Sequence, residues 1–347
     1  MSAIPNVGGR DISVILAPHG GPRQDIPGFD PEYADIVDYI LRCTHRIWEQ
    51  KDVGLIATHY APDIVVHMMT GPSVGMDGVI ANTARTLSAF PDRTLTGEAV
   101  IWSDERATAG PGAYLSSHRI TSSATNLGAS ELGPATGRRI SFTTIADCLC
   151  RANLIIEEWL VRDYSHMALQ LGFQPRAVAR AMAQADRKAG PAAWRQEAMA
   201  AVRAAPQTPF PKGPLPDAVK EPLAFAREAL DRIVNHRRFG LVRDCYSPAV
   251  HWSGPGGRRL FGWGEVTGWY TALIGSFGGA RLVVDHVAAV PAPQGHDIAI
   301  RWKLAAAHDG GALYGAASQQ DVFILAVTHL RLADGVIIDE EIGRAHV

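Results

Sequence analysis

The sequence predicts an α+β fold built from two tandem copies of one unit, and two alignments of the chain with itself lead to this prediction. The stretch 46–62 matches the stretch 232–248 at six of seventeen positions, at an offset of 186 residues. The closing stretch "IIEEWLVRD" aligns with "IIDEEIGRA" at an offset of 182, and the same offset brings Arg119 onto Arg301. One small net gap reconciles the two offsets, which indicates an internal duplication.

Each copy shows the same order of predicted elements: a helix, a short strand, a second helix and then several longer strands. In the first copy Asp30 is predicted as a helix N-cap with Pro31 at the first helical position. Ile36, Ile40 and Ile47 then follow at helical spacing. This order predicts helices on one face of a curved, mostly antiparallel sheet.

The strands of the first copy are rich in β-branched and aromatic residues and are interrupted by Gly, Pro and Asn. After a short strand at 64–69 and a helix at 77–89, they are predicted at 94–103, 113–121, 139–150 and 154–163.

Composition sets the domain organisation. We predict an extended arm over 1–30, a first unit over 31–174, a helical and Pro-rich linker over 175–220, and a second unit over 221–347. The chain has 347 residues, which is enough for two ordinary domains. We expect the two units to form a pseudo-dimer within the chain, and a homodimer stays open.

The charge and the cysteines restrict the partners. A net charge of −2 favours no polyanion, so we expect no nucleic-acid partner. No apolar run approaches the ~18 residues of a membrane span, and we find no signal peptide. The four cysteines form no disulfide framework. We therefore expect a cytoplasmic protein without a membrane partner.

Two motifs carry a family resemblance: "YAPD" at 60–63 and the run of Glu157, Trp159 and Asp163 in the closing strand. With the order of elements, they resemble the SnoaL-like polyketide cyclase family, which belongs to the NTF2-like superfamily of cone-shaped α+β folds. The resemblance covers 30–172 well and 221–342 more weakly. It implies a small-molecule substrate and a cofactor-free aldol ring closure. It also implies that Asp163, near the end of the last strand, acts as general acid and base.

A cone of this kind encloses a mostly apolar pocket, so polar side chains on its strands are candidates for function. We predict Asp163, His118, His67 and Asp147 as catalytic candidates. The candidate substrate contacts are Trp159, Tyr114, Arg119, His166 and Trp102.

Structural roles stay open for the same residues. Asp163 would also suit an ion pair with Arg162 or an exposed strand end. Asp147 would also suit hydrogen bonds to the backbone or an ion pair with Arg119 or Arg139. The histidines would also suit satisfied structural positions.

No spacing typical of a metal site or a phosphate-binding loop occurs, so we expect no metal and no cofactor. In the second unit Ala345 stands opposite Asp163 and Ile300 opposite His118. We therefore expect that unit to be degenerate.

The function predicted is acid/base catalysis on a small carbonyl-containing metabolite, by aldol-type cyclisation, isomerisation or elimination. A water-activating hydrolase and a non-catalytic binding or scaffold protein are the alternatives.

Overall fold

A computed structural model describes residues 16–18, 20–189 and 193–346. The chain forms two compact units, Met1–Ala189 and Gly190–Val347. Each unit holds a six-stranded sheet with helices packed against it, which confirms the predicted α+β fold in two copies. Part of the predicted arm, residues 1–15 and 19, lies outside the described residues.

Among its described residues the first unit contains six α-helices, a short 3₁₀ helix (Val53–Leu55) and six strands. The helices are α1 (Ile36–Trp48), α2 (Ile56–His59), α3 (Met76–Ala89), α4 (Arg106–Ala109), α5 (Tyr164–Leu171) and α6 (Pro175–Ala189). The strands are β1 (Tyr60–Met68), β2 (Gly71–Val74), β3 (Thr94–Asp104), β4 (Ala113–Thr125), β5 (Arg139–Arg151) and β6 (Leu154–Arg162). Their order in the sheet is β2-β1-β6-β5-β4-β3, and only the neighbours β1 and β6 are parallel in this described sheet.

Helix α1 begins later than the sequence predicts. Its N-cap is Asp35, whose carboxylate accepts a hydrogen bond from the backbone N–H of Asp38 at 2.8 Å. The predicted start at Asp30 is wrong, because that residue opens a turn in which its carbonyl accepts from the N–H of Tyr33. The Asp35 carboxylate satisfies a backbone donor that the first helical turn leaves without a partner.

Strand pairing arranges the polar residues of the first sheet in rows across the face that α1 and α3 cover, here called the inner face. In one row Glu158 of β6 lies opposite Cys148 of β5, and two rows further along Arg162 lies opposite Thr144. His118 of β4 belongs to the row between them. Since side chains alternate along a strand, residues one position away point to the opposite, outer face.

The second unit repeats this plan. Its helices are α7 (Ala193–Ala204), α8 (Pro222–Val234), α9 (Val242–Cys245) and α10 (Gly262–Ser276). Its strands are β7 (Tyr246–Gly254), β8 (Arg258–Phe261), β9 (Arg281–Ala292), β10 (Gly295–Ala307), β11 (Asp321–Ala333) and β12 (Val336–His346). The sheet order β8-β7-β12-β11-β10-β9 matches the first sheet strand for strand. Glu340 pairs with Leu330 as Glu158 pairs with Cys148, so the offset of 182 seen in the sequence also holds in the pairing.

Candidate functional site

A cavity of about 60 Å³ lies between α1, α3 and the inner face of the first sheet. Aliphatic side chains such as Ile40, Ile47 and Val66 form much of its wall. Polar and charged side chains suited to proton transfer or hydrogen bonding also line it, among them Tyr60, Arg93, His118, Thr144, Glu158 and Arg162. Because buried polar groups are costly without partners, this set marks the cavity as the candidate site.

Glu158 is the acid of the cavity. The residue is buried, with 7 % of its surface exposed. Burial raises the pKa of its carboxyl to about 7, while the charge of Arg162 and a hydrogen bond with Tyr60 oppose the rise. A carboxyl with this pKa changes its protonation state near neutral pH, as proton transfer requires.

His118 lies in the row beside Glu158 and is buried. Burial lowers the pKa of its imidazole to about 3, so the ring is neutral at physiological pH. Its Nδ1 is 3.4 Å from the Thr44 hydroxyl, and its Nε2 has no hydrogen-bond partner among the described residues. When the Thr44 hydroxyl donates to Nδ1, Nε2 carries the proton and is available as a donor in the cavity.

Two buried arginines line the far end of the cavity. Arg93 donates from Nε and Nη2 to the Ser122 hydroxyl at 3.1 and 2.9 Å, and its guanidinium lies 4.2 Å from the Trp48 ring centroid. Arg162 hydrogen bonds with Tyr164. Among the described residues, Arg93 Nη1 and Arg162 Nε have no hydrogen-bond partner.

Asp163, the acid that the resemblance implies, lies at the end of β6 and caps α5. Its carboxylate accepts from the backbone N–H of His166 at 3.0 Å. Neither residue belongs to the described lining of the cavity. A catalytic role for Asp163, with His166 beside it, stays a prediction.

Three other predicted residues lie on or beside the outer face of the first sheet. Asp147 is buried there and accepts a hydrogen bond from the Ser117 hydroxyl. His67 is 2.8 Å from a carboxylate oxygen of Glu157, and its ring stacks on Trp159 with centroids 5.3 Å apart. Strand alternation therefore separates Asp147, His67 and Trp159 from the cavity.

The remaining predicted contacts have structural partners. Arg119 forms an ion pair with Glu98 at 3.0 Å. The Tyr114 hydroxyl donates to the carbonyl of Asp25 at 2.7 Å, and Trp102 packs edge-on against the Tyr114 ring. Of the nine predicted site residues, His118 is the member that the cavity lining includes.

Sequence reasoning missed Glu158, Arg93 and Arg162. Glu158 and Arg162 are on the same strand as the predicted residues but alternate with Glu157 and Trp159. The prediction assigned the wrong face of this strand to the cavity. The available signal was the recurrence of Glu158 as Glu340 at the offset of 182. Arg93 lies in the turn between α3 and β3, where no periodicity indicates its direction.

The second unit has a cavity of about 10 Å³ in the corresponding region. Trp269, Tyr270 and Trp302 fill the space around it. Glu340 is buried and accepts hydrogen bonds from the hydroxyls of Tyr246 at 2.7 Å and Tyr270 at 3.1 Å. Burial raises the pKa of its carboxyl to about 7.

The described part of the chain holds neither a metal-binding cluster nor a membrane-spanning helix. No group of three His, Cys, Asp or Glu side chains there is arranged to hold a metal ion. None of the helices described is both long and apolar enough to cross a bilayer.

Comparison with known proteins gives a family match for the first unit. Residues 39–171 match the SnoaL-like polyketide cyclase family. No curated protein matches the chain.

Solved structures of several bacterial proteins are similar over a segment of the chain. TsrD of Streptomyces laurentii is 21% identical with a TM-score of 0.34, and the match covers 39% of this chain and 94% of that one. IdmH of Streptomyces antibioticus, a proposed polyketide cyclase, is 23% identical with a TM-score of 0.33, over 39% and 97%. A proposed SnoaL-like polyketide cyclase of Jannaschia sp. CCS1 is 20% identical with a TM-score of 0.30, over 34% and 83%. The similarity to the SnoaL-like polyketide cyclase family thus covers residues 39–171, within the first unit.

Proposed function

We propose that the first unit catalyses proton transfer at a carbon next to a carbonyl group in a small molecule, without a cofactor, and that Glu158 is the general acid and base. One observation carries the proposal: a buried carboxyl with a pKa of about 7 lines a cavity beside a neutral imidazole, His118. The reaction class includes aldol-type cyclisation, isomerisation and elimination, and the family match supports it.

The geometry suggests a division of roles between the two residues. The carboxylate of Glu158 would remove the proton next to the carbonyl and return it later in the reaction. Negative charge then develops on the carbonyl oxygen, and the Nε2–H of His118 would donate a hydrogen bond to it. A neutral donor suits this role because its proton stays on the ring throughout.

We propose a structural role for the second unit. Its corresponding space is filled by aromatic side chains, and Ile300 stands at the position of His118. The pseudo-dimer of the two units and a homodimer stay predictions.

Deuterium exchange tests the proposal without knowledge of the natural substrate. Small ketones and oxo acids are incubated with the full chain in D2O, and deuterium at the carbon next to the carbonyl is followed by NMR. We expect exchange with the wild-type protein and a loss of about 10²- to 10⁴-fold in Glu158→Gln. Asp163→Asn is the matched control, because asparagine also caps helices well.

The outcomes separate the alternatives. A loss of exchange in Asp163→Asn with full activity in Glu158→Gln would support the assignment that the family resemblance implies. Hydrolysis of an ester or epoxide probe without exchange would indicate a water-activating hydrolase. Tight binding of a carbonyl compound with neither reaction would indicate a binding protein.

A further inference from the structure

We propose that the first-unit cavity binds a carboxylate group of its ligand between Arg93 and Arg162. The site would then select a small oxo acid over a neutral ketone. The carboxylate site stands on the geometry of the arginines, whereas the oxo group of the ligand rests on the function proposed above.

The first observation is a set of unpartnered buried donors. Arg93 Nη1, Arg162 Nε and the Thr144 hydroxyl line one cavity, and none has a hydrogen-bond partner among the described residues. Arg93 and Arg162 are 3 % and 4 % exposed. A buried donor left without a partner costs free energy, and the cost is greatest for a charged group. A carboxylate placed here would satisfy donors from both guanidinium groups.

The second observation is the proximity of two like charges. Burial, followed by the charge of Arg162, holds the pKa of Arg93 well below its usual range. Glu158 is the carboxyl that lines the same cavity, and it is largely protonated below its pKa of about 7. Glu49 interacts electrostatically with Arg93, and Glu131 and Tyr164 with Arg162, and an anion from the ligand would add to this compensation.

The third observation is the direction of the cavity. Glu158 and Arg162 are four residues apart on β6, a distance of roughly 13 Å along a strand. His118 occupies the row between them. A ligand anchored by its carboxylate at the arginine end would extend past His118 toward Glu158, so that its carbonyl meets the proposed acid/base pair.

The second unit lacks this arrangement. By the strand pairing, Ala326 stands at the position of Thr144. Ala280 follows Phe277 at the end of α10 as Arg93 follows Phe90 at the end of α3, with the same backbone hydrogen bond. Thr144 and Arg93 are therefore replaced in the copy whose cavity is filled, whereas Arg344 stands at the position of Arg162.

Acetate and acetamide form a matched pair of probes, because they are similar in size and shape and differ in charge. Each is titrated into the full chain at constant ionic strength, and binding is measured by calorimetry and by the shift in thermal unfolding midpoint. We expect acetate to bind at least tenfold more tightly than acetamide. Equal effects of the two probes would overturn the proposal without any variant. Tighter binding of inorganic phosphate than of acetate would overturn the choice of carboxylate.

Variants locate the site. Arg93→Met should weaken acetate binding at least tenfold and leave acetamide unchanged, and Arg93→Lys should restore part of the difference. Arg139→Met is the control, since Arg139 is an exposed arginine paired with Asp92. Unchanged acetate binding in a folded Arg93→Met protein would contradict the proposal.

The two proposals can fail separately. Acetate binding that depends on Arg93, with no proton exchange on any oxo acid, would support the anion site and contradict the acid/base function. Exchange on neutral ketones that depends on Glu158, with equal binding of acetate and acetamide, would support the acid/base function and contradict the anion site.

Discussion

The two units share a buried glutamate and differ in the space around it. Glu158 and Glu340 stand at equivalent places in the two sheets, and burial raises the pKa of each to about 7. The cavity in the first unit is about 60 Å³, and that in the second is about 10 Å³. A buried carboxyl is therefore common to both copies of the fold, and room for a ligand beside it distinguishes the first.

The difference arises at a few positions on the helix and strands. Helix α3 places Thr83 in the wall of the first cavity, and α10 places Tyr270 at the corresponding point, counting back from the capping residues Phe90 and Phe277. The Tyr270 hydroxyl donates a hydrogen bond to Glu340 at 3.1 Å. A single small-to-large replacement therefore both fills the cavity and gives the Glu340 carboxyl a hydrogen-bond partner.

Filling the first cavity should have the largest effect. Thr83→Tyr gives the first unit the residue that the second unit has at this position, Tyr270. We expect proton exchange to fall at least hundredfold because the larger side chain excludes the ligand. Thr83→Val, which keeps the volume, should retain exchange within a few-fold. The NMR exchange assay in D2O measures both. Full activity in Thr83→Tyr would show that this cavity is not the site.

Making a cavity in the core of the second unit should lower its stability and leave proton exchange in the first unit unchanged. Trp269 is buried and packs against Trp252, with ring centroids 4.7 Å apart. Trp269→Ala should lower the free energy of unfolding of that unit by about 3–5 kcal/mol. Denaturant unfolding followed by circular dichroism measures the change. A loss of exchange in protein that is still folded would mean that the second unit takes part in catalysis.

The raised pKa of Glu340 should make the stability of the second unit depend on pH in a way that an exposed carboxyl would not. Its folded-state pKa is raised from 4.5 to about 7, so the folded chain binds this proton more tightly than the unfolded chain does. The resulting stability is present below about pH 4.5 and is lost as the pH rises through 7. Glu340→Gln should therefore gain on the order of 3 kcal/mol relative to the wild type between pH 4.5 and 8. Unfolding curves at several pH values test this, and a difference that does not change with pH would refute it.

The smallest effect is expected at Asp163. As the N-cap of α5 it should contribute about 1 kcal/mol, so Asp163→Ala should destabilise the first unit by that amount and Asp163→Asn by less. Proton exchange should stay within about twofold in both variants. Chemical denaturation and the exchange assay measure the two quantities side by side.

The sequence predicted the fold better than the site, and the reason lies in strand pairing. Helical spacing at Ile36, Ile40 and Ile47 and the repeated closing strands were enough to predict two α+β copies. The face of each strand depends on its neighbours, because moving the assignment by one residue turns every side chain to the other side. His118 and Asp147 were both predicted for the site, yet His118 pairs with Ala146, so Asp147 points away from the cavity.

One pair of variants tests the division of labour most directly. Proton exchange is measured in Glu158→Gln and Glu340→Gln at pH 8, where both carboxyls are ionised in the wild type. We expect a loss of about 10²- to 10⁴-fold in Glu158→Gln and unchanged exchange in Glu340→Gln. Equal losses in the two variants, or full exchange in Glu158→Gln, would contradict it.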